Sequence, residues 1–210
     1  MSDPTTVSGT DLRAERLRET VLDALSQITV DGTREVSVHD VARVAGVSRT
    51  SVYHLFPGGL EDMTVALADT FFEVVEAVAQ REIATAPSTS PTEAVRAHLH
   101  ALVQIADWRW RLLRSSLDWK VRSSAREHVD HRLAQLLEPL LDDLGDAVPR
   151  GVDRSTLAAF LAGGIILELT DWIRAHDGPG TASPEQFEQD LLDGQPRWFV
   201  GSDAVARTTA

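Results

Sequence analysis

The run Arg49-Thr50-Ser51-Val52-Tyr53-His54 places a guanidinium, two hydroxyls, a phenol and an imidazole within six residues. These groups donate to phosphate oxygens and to the edges of base pairs, and an arginine matches guanine in bidentate fashion. From Val41 to Leu60 there are two arginines, Arg43 and Arg49, and no acid. The surroundings are different: 32 acids against 20 bases give the 210-residue chain a net charge of −12. That balance keeps a protein soluble and, taken whole, argues against a polyanionic partner. Affinity for DNA follows the facing surface rather than the total, so the acid-free window answers part of the objection. All the bases but Lys120 are arginine, the residue suited to planar, bidentate recognition.

Other chemistries find little support. His98 and His100 fall on opposite sides of a helix, while His128 and His131 share a face with Glu127 nearby; no metal site is expected from either pair. Glu-x-x-His is absent, which removes the di-iron carboxylate bundle, and neither a Gly-rich phosphate loop nor a Gly-x-Ser-x-Gly elbow occurs. With no cysteine, disulfides, thiolate zinc sites and thiol nucleophiles are excluded. No cofactor and no catalytic activity are expected. Trp108, Trp110 and Trp119 are interleaved with Arg109, Arg111 and Arg114; arginine over an exposed indole contributes about 0.5–1 kcal/mol. These indoles read equally as the wall of a pocket or as packing residues.

The elements that position these groups are helices. Of the residues, 43% are hydrophobic and 25% charged, the profile of a globular chain with a real core, and the length fits one compact domain or a small and a medium module. Leu17, Val21, Leu25 and Ile28 form one stripe of an amphipathic helix, stopped at Asp31-Gly32. Ser37 with Asp40 opens a short helix ended by Gly46, and Ser48 caps a second. A long helix follows from Leu60, with Met63, Leu67, Phe71, Val74 and Val78 on its stripe. At about 25 residues it would reach roughly 37 Å before Thr85–Pro91 interrupts it. Ser90-Pro91-Thr92-Glu93 restarts a helix with cap, proline and acid in order. The pattern shortens around Trp108, and a long helix through Leu133, Leu137, Leu140 and Leu144 is kinked or weakened at Pro139. The helix opened by Asp153 is apolar nearly all round, so more than one side is covered. Its longest apolar stretch, Leu157 to Leu169, is too short for a bilayer, which takes about 20 apolar residues. Ser183 caps a last helix to about Leu192, and the tail from Gly194 is expected to be loosely held. The fold class is all-α. The first dozen residues carry no secretion signal, making the cytoplasm the default, with no membrane partner.

In the apolar helix after Asp153, Glu168 and Asp171 sit among Ile165, Leu169 and Trp172. A carboxylate on a buried face must be paired, because desolvating it alone is costly; Glu168 either meets a ligand or pairs with an arginine, and the pair is the favoured reading. Gly163 and Gly164 cost about 1 kcal/mol each relative to alanine in mid-helix, which close approach of another helix would offset.

The two short helices form a helix-turn-helix if small and apolar residues fall where the helices cross. With Gly46 as the turn glycine, Ala42 lies four residues before it, and Val41, Ala45, Val47, Val52 and Leu55 fall on the packing side. The bland alternative is a helical corner whose polar side simply faces water. Here the chain resembles a known family. Thr20 to Leu67, with Ala45-Gly46-Val47-Ser48 followed by Tyr53 and Phe56, is similar to the DNA-binding domain of the TetR family of bacterial transcriptional regulators. Pro57-Gly58-Gly59 resembles members with Phe-Pro-Gly-Gly-Lys at this point, and Leu60 stands where related proteins often have lysine. Glu61 and Asp62 follow it; acids there suit the helix dipole but remove a phosphate contact.

The resemblance implies a flexible arm over 1–10, a helix-turn-helix domain over 11–59, a ligand-binding and dimerising helical domain over 60–194, and a tail over 195–210. It implies a repressor that binds a palindromic operator in double-stranded DNA as a homodimer and is released by an unidentified small molecule. Ser37, Arg49, Thr50, Ser51, Tyr53 and His54 are the expected DNA contacts, Tyr53 through its hydroxyl to a phosphate. Phe72, Leu102, Trp110, Trp119, Phe160 and Glu168 are the expected pocket lining. Leu161, Gly164, Ile165, Trp172, Phe187 and Leu191 are the expected dimer contacts. A reading from another class is an all-helical binding protein that keeps the helix-turn-helix as scaffold, supported by the net charge; a helical enzyme is the remotest.

Overall fold

The stripe Leu17, Val21, Leu25 and Ile28 is the inner face of α1 (Gly9–Val30) in a computed structural model that describes residues 9–30, 36–86, 89–119, 123–175 and 183–201. Among the described residues there is no strand. The first eight residues of the expected arm, the stop at Asp31-Gly32, Lys120 and the tail beyond Gly201 lie outside them. The chain divides into two compact units, residues 1–67 with 111–126, and residues 68–110 with 127–210.

In the first unit, α1 packs on α2 (Val38–Val44) and α3 (Arg49–Leu55). Ser37 and Ser48 cap the two short helices as expected, accepting from the backbone N–H groups of Asp40 at 3.3 Å and Ser51 at 3.0 Å. Gly46 turns between them at φ +68°, a conformation that side chains bearing a Cβ resist. Val21, Leu25, Val41, Val52 and Phe56 are sealed from solvent, and Ala42 is nearly so. Arg18 lays its guanidinium 4.5 Å from the centre of the Phe56 ring, covering that aromatic from the α1 side. Met63 and Ala66, in the first turns of α4 (Leu60–Thr85), complete it.

The same core contains Leu112 and Trp119. Residues 111–126, including most of α6 (Trp110–Ser116), therefore pack with the first unit, although about sixty residues separate them from its helix-turn-helix in sequence. Trp119 is buried there and its indole N–H donates to the Ser115 hydroxyl at 3.2 Å.

The second unit holds the remainder of α4 and α5 (Pro91–Trp108), most of α7 (Ser123–Asp143), then α8 (Arg154–Ala175), α9 (Pro184–Gly194) and α10 (Arg197–Val200). The Ser90–Glu93 capping box is complete, with Ser90 N–H donating to the Glu93 carboxylate at 2.6 Å. Asp69 of α4 receives His128 and Arg132 of α7, each at 2.9 Å. α7 continues through Pro139. Asp153 caps α8 by accepting from the N–H of Thr156 at 2.8 Å. At 22 residues and mean hydropathy 1.5, α8 would cross a bilayer by length and composition, whereas the apolar stretch alone was too short; 39% of that window is buried, and Leu161, Ile165 and Leu169 supply the inward face. Residues 195–201 depart from the expected loose tail. Phe199 and Val200 of α10 are buried, and Arg96 of α5 donates to the Val200 carbonyl at 2.6 Å. Two large apolar side chains in a four-residue helix give no periodicity to read, yet they are enough to dock it.

Truncating Phe56 to alanine removes a fully buried ring, and the expected loss is about 3–5 kcal/mol, measurable by denaturant unfolding. A second outcome concerns acid. Ser90 backbone N–H, then its hydroxyl, holds the Glu93 carboxyl below its usual 4.5. A value lower in the folded state than in the unfolded one contributes stability fully above the unfolded value and loses it as pH falls through the folded one. Acidification below about 4.5 should lower Tm, and the fall should be shallower in Glu93→Gln.

Candidate nucleic-acid interface

α3 has seven residues, and burying Val52 completely fixes which of them face outward. Arg49, Thr50, Tyr53 and His54 are exposed, and their spacing of one, three and one puts them on one side of the helix. Ser51 is half-buried, its hydroxyl 2.8 Å from that of Ser48. The structure thus brings five of the six expected DNA contacts onto α3. The sixth, Ser37, is exposed at the start of α2, where its hydroxyl donates to the Asp40 carboxylate at 2.6 Å. Arg43 is exposed on α2, 4.0 Å from Asp40.

Tyr53, half exposed, lies beside the start of α4. A Cβ on Gly59 would stand 3.4 Å from the Tyr53 ring and 3.2 Å from Val38. The backbone there is wedged between α2 and α3 at φ +64°, room and conformation that glycine alone supplies. Behind it, Gly58 N–H donates to Asp62 at 2.7 Å, and the Ser124 hydroxyl donates to Glu61. These two contacts explain the acids at the start of α4: they satisfy donors within the first unit. Nothing in their sequence pattern distinguished them from solvated charges.

The expected pocket residues fall into different environments. Phe72 and Leu102 are buried in the second unit and Trp110 is half-buried in it. Trp119 belongs to the core of the first unit, which corrects its placement. Phe160 is 78% exposed and Glu168 is exposed, so neither lines an interior of this chain, and the buried carboxylate expected at Glu168 does not arise. Periodicity fails here because α8 is apolar on every side and cannot announce which side turns inward.

The same ambiguity governs the expected dimer contacts. Leu161, Ile165, Trp172, Phe187 and Leu191 are all buried inside the chain. Trp172 and Phe187 stack on each other with ring centres 4.8 Å apart, fastening α9 to α8 within one protomer. Only Gly164 of that set faces out. The outward side of α8 carries Phe160, Gly163, Gly164 and Leu167 instead, with Leu167 62% exposed. Among the described residues, no atom beyond the helix's own backbone and the chain neighbours lies within 4 Å of where a Cβ would stand on either glycine, so no described neighbouring helix offsets their cost. Of the histidines, His98 is buried and hydrogen-bonded to the Ala94 carbonyl at 2.7 Å, while His100 meets Glu188 at 2.8 Å.

No protein-family model matches the sequence, and no curated protein matches it. Solved structures do. A TetR-family regulator from Syntrophomonas wolfei superposes with a TM-score of 0.68 at 14% identity, over 91% of this chain and 99% of that one. The fatty acid degradation regulator FadR of Bacillus halodurans gives 0.59 at 20% identity, over 85% and 95%. AibR, solved with isovaleryl coenzyme A and operator DNA, gives 0.50 at 17% identity, over 85% and 95%. The chain therefore has the fold of the TetR-family transcriptional regulators.

Proposed function

We propose that this protein is a TetR-family transcriptional regulator of the cytoplasm, a homodimer that represses by binding a palindromic operator and is released by a small molecule. The observation that carries the reading is the outward side of α3: Arg49, Thr50, Tyr53 and His54 stand exposed on a helix whose other side is sealed, within a window without acids. Arg49 and His54 reach base edges in the major groove, Thr50 and Ser51 contact the groove wall, the Tyr53 hydroxyl meets a phosphate, and Ser37 lies at the phosphate strand with its hydroxyl shared with Asp40. The operator complex of AibR, a protein of the same fold, supports the assignment.

Two reading heads must enter successive major grooves, roughly 34–36 Å apart, which requires a second copy. The bare stripe of Phe160, Gly163, Gly164 and Leu167 supports α8 as the place where it packs: small residues admit a close helix, and two large apolar side chains are otherwise left in water. The effector belongs in the second unit, where Phe72 and Leu102 lie. It acts by binding more tightly to a dimer state whose heads are out of groove register, since only differential affinity shifts such an equilibrium. The net charge of −12 favours a second reading, an all-helical dimer that keeps the head as scaffold.

An electrophoretic shift against the DNA upstream of the coding sequence separates the two. A sequence-dependent shift that weakens with salt supports the regulator; no shift at low salt favours the scaffold. Arg49→Ala should weaken that complex by about 1–3 kcal/mol if the guanidinium pairs with a guanine, and equal binding removes Arg49 from the contacts. The wild type should sediment as a dimer, and Leu167→Glu, placed on an exposed position, should sediment as a folded monomer. A Leu167→Glu dimer would rule out this face of α8.

A further inference from the structure

At the starts of α4 and α2, two hydrogen-bond donors are engaged by the protein's own carboxylates, and an arginine stands at ion-pair distance from one of them. Asp62 takes the N–H of Gly58 at 2.7 Å. Asp40 takes the Ser37 hydroxyl at 2.6 Å and stands 4.0 Å from the Arg43 guanidinium. Gly59, next in the chain to Gly58, is wedged between Val38 at the start of α2 and Tyr53 of α3, and Ser37 is the cap of α2. A backbone N–H, a hydroxyl and an arginine are the donors that hold a nucleic-acid backbone, and here each faces an acid. Between Asp40 and Glu61, from Val41 to Leu60, the chain has no acid. Negative charge thus brackets the base-reading helix and is absent from it.

We propose that Asp40 and Asp62 limit the sequence-independent part of DNA affinity, by occupying donors that phosphate oxygens would otherwise take and by repelling the phosphates themselves. The proposal rests on the DNA-binding reading above and adds to it which residues restrain that binding. Phosphate contacts supply essentially all of non-specific affinity; consuming them internally leaves base contacts by α3 to carry a larger share of the total. The expectation from the sequence alone, that the acids after Leu60 merely remove one phosphate contact, becomes more specific: Asp62 takes the place of the phosphate on the Gly58 N–H.

Asp40→Asn and Asp62→Asn test this separately. Asparagine is isosteric and its carbonyl oxygen still accepts from the Ser37 hydroxyl or the Gly58 N–H, so these variants read the charge alone, while Asp40→Ala and Asp62→Ala also free the donors and should gain at least as much; thermal unfolding verifies each fold. The readout is the affinity of the full chain for its upstream duplex and for a scrambled duplex over a range of salt. Each variant should bind both duplexes about two- to five-fold more tightly at low salt, with the scrambled duplex gaining at least as much. The log–log salt slope should steepen by up to about 0.9 for every further phosphate that the variant neutralises. Folded variants that bind no more tightly than a DNA-binding wild type overturn the inference alone. A wild type and variants that bind neither duplex at low salt overturn the DNA reading, and this one with it.

Discussion

Complete burial of Val52 and Phe56 against Val21 and Leu25 is the constraint on which the first unit depends. A helix of seven residues has too few backbone hydrogen bonds to hold itself, so α3 exists because its inner side is part of a core. The same burial determines its outer side. Once Val52 points inward, Arg49, Thr50, Tyr53 and His54 have only solvent to face. Gly46 at positive φ and the small Ala42 let α2 approach closely enough for that core to close, and Arg18 over Phe56 seals its edge. The reading surface is thus a by-product of packing, and its rigidity has the same source.

Charge is distributed against the average of the molecule. An anionic body keeps the chain soluble, while the α3 side keeps its donors free of acids. At the neighbouring helix starts the carboxylates of Asp40 and Asp62 satisfy donors locally. Each is ordinary capping chemistry on its own.

The second unit solves a different problem with α8. Leu161, Ile165 and Leu169 bury one side of it, and the Trp172–Phe187 stack ties it to α9. Its other side is left apolar and bare, with two glycines that nothing in the chain explains. One side of α8 is thus buried while Phe160 and Leu167 stand exposed on the other, which is why its apolar residues fall on more than one side.

Much of this architecture was legible in the residues. Caps at Ser37, Ser48, Ser90, Asp153 and Ser183, the turn at Gly46 and the stripe on α1 are local signals: each depends on neighbours within about one turn, and each helix began where its cap stood. The outward set on α3 was legible for the same reason, since one buried valine in a short helix orients the rest. Three matters were not. The membership of Trp119 in the first core, the docking of Phe199, and the inward side of α8 all depend on residues far away in the chain. The sequence by itself determined where the helices are and that one of them carries DNA-like recognition groups, because helix periodicity and capping are short-range physics. Which apolar side turns inward, and which unit a short helix joins, only the tertiary structure decided, because hydrophobic burial has no direction until the partner surfaces are assembled.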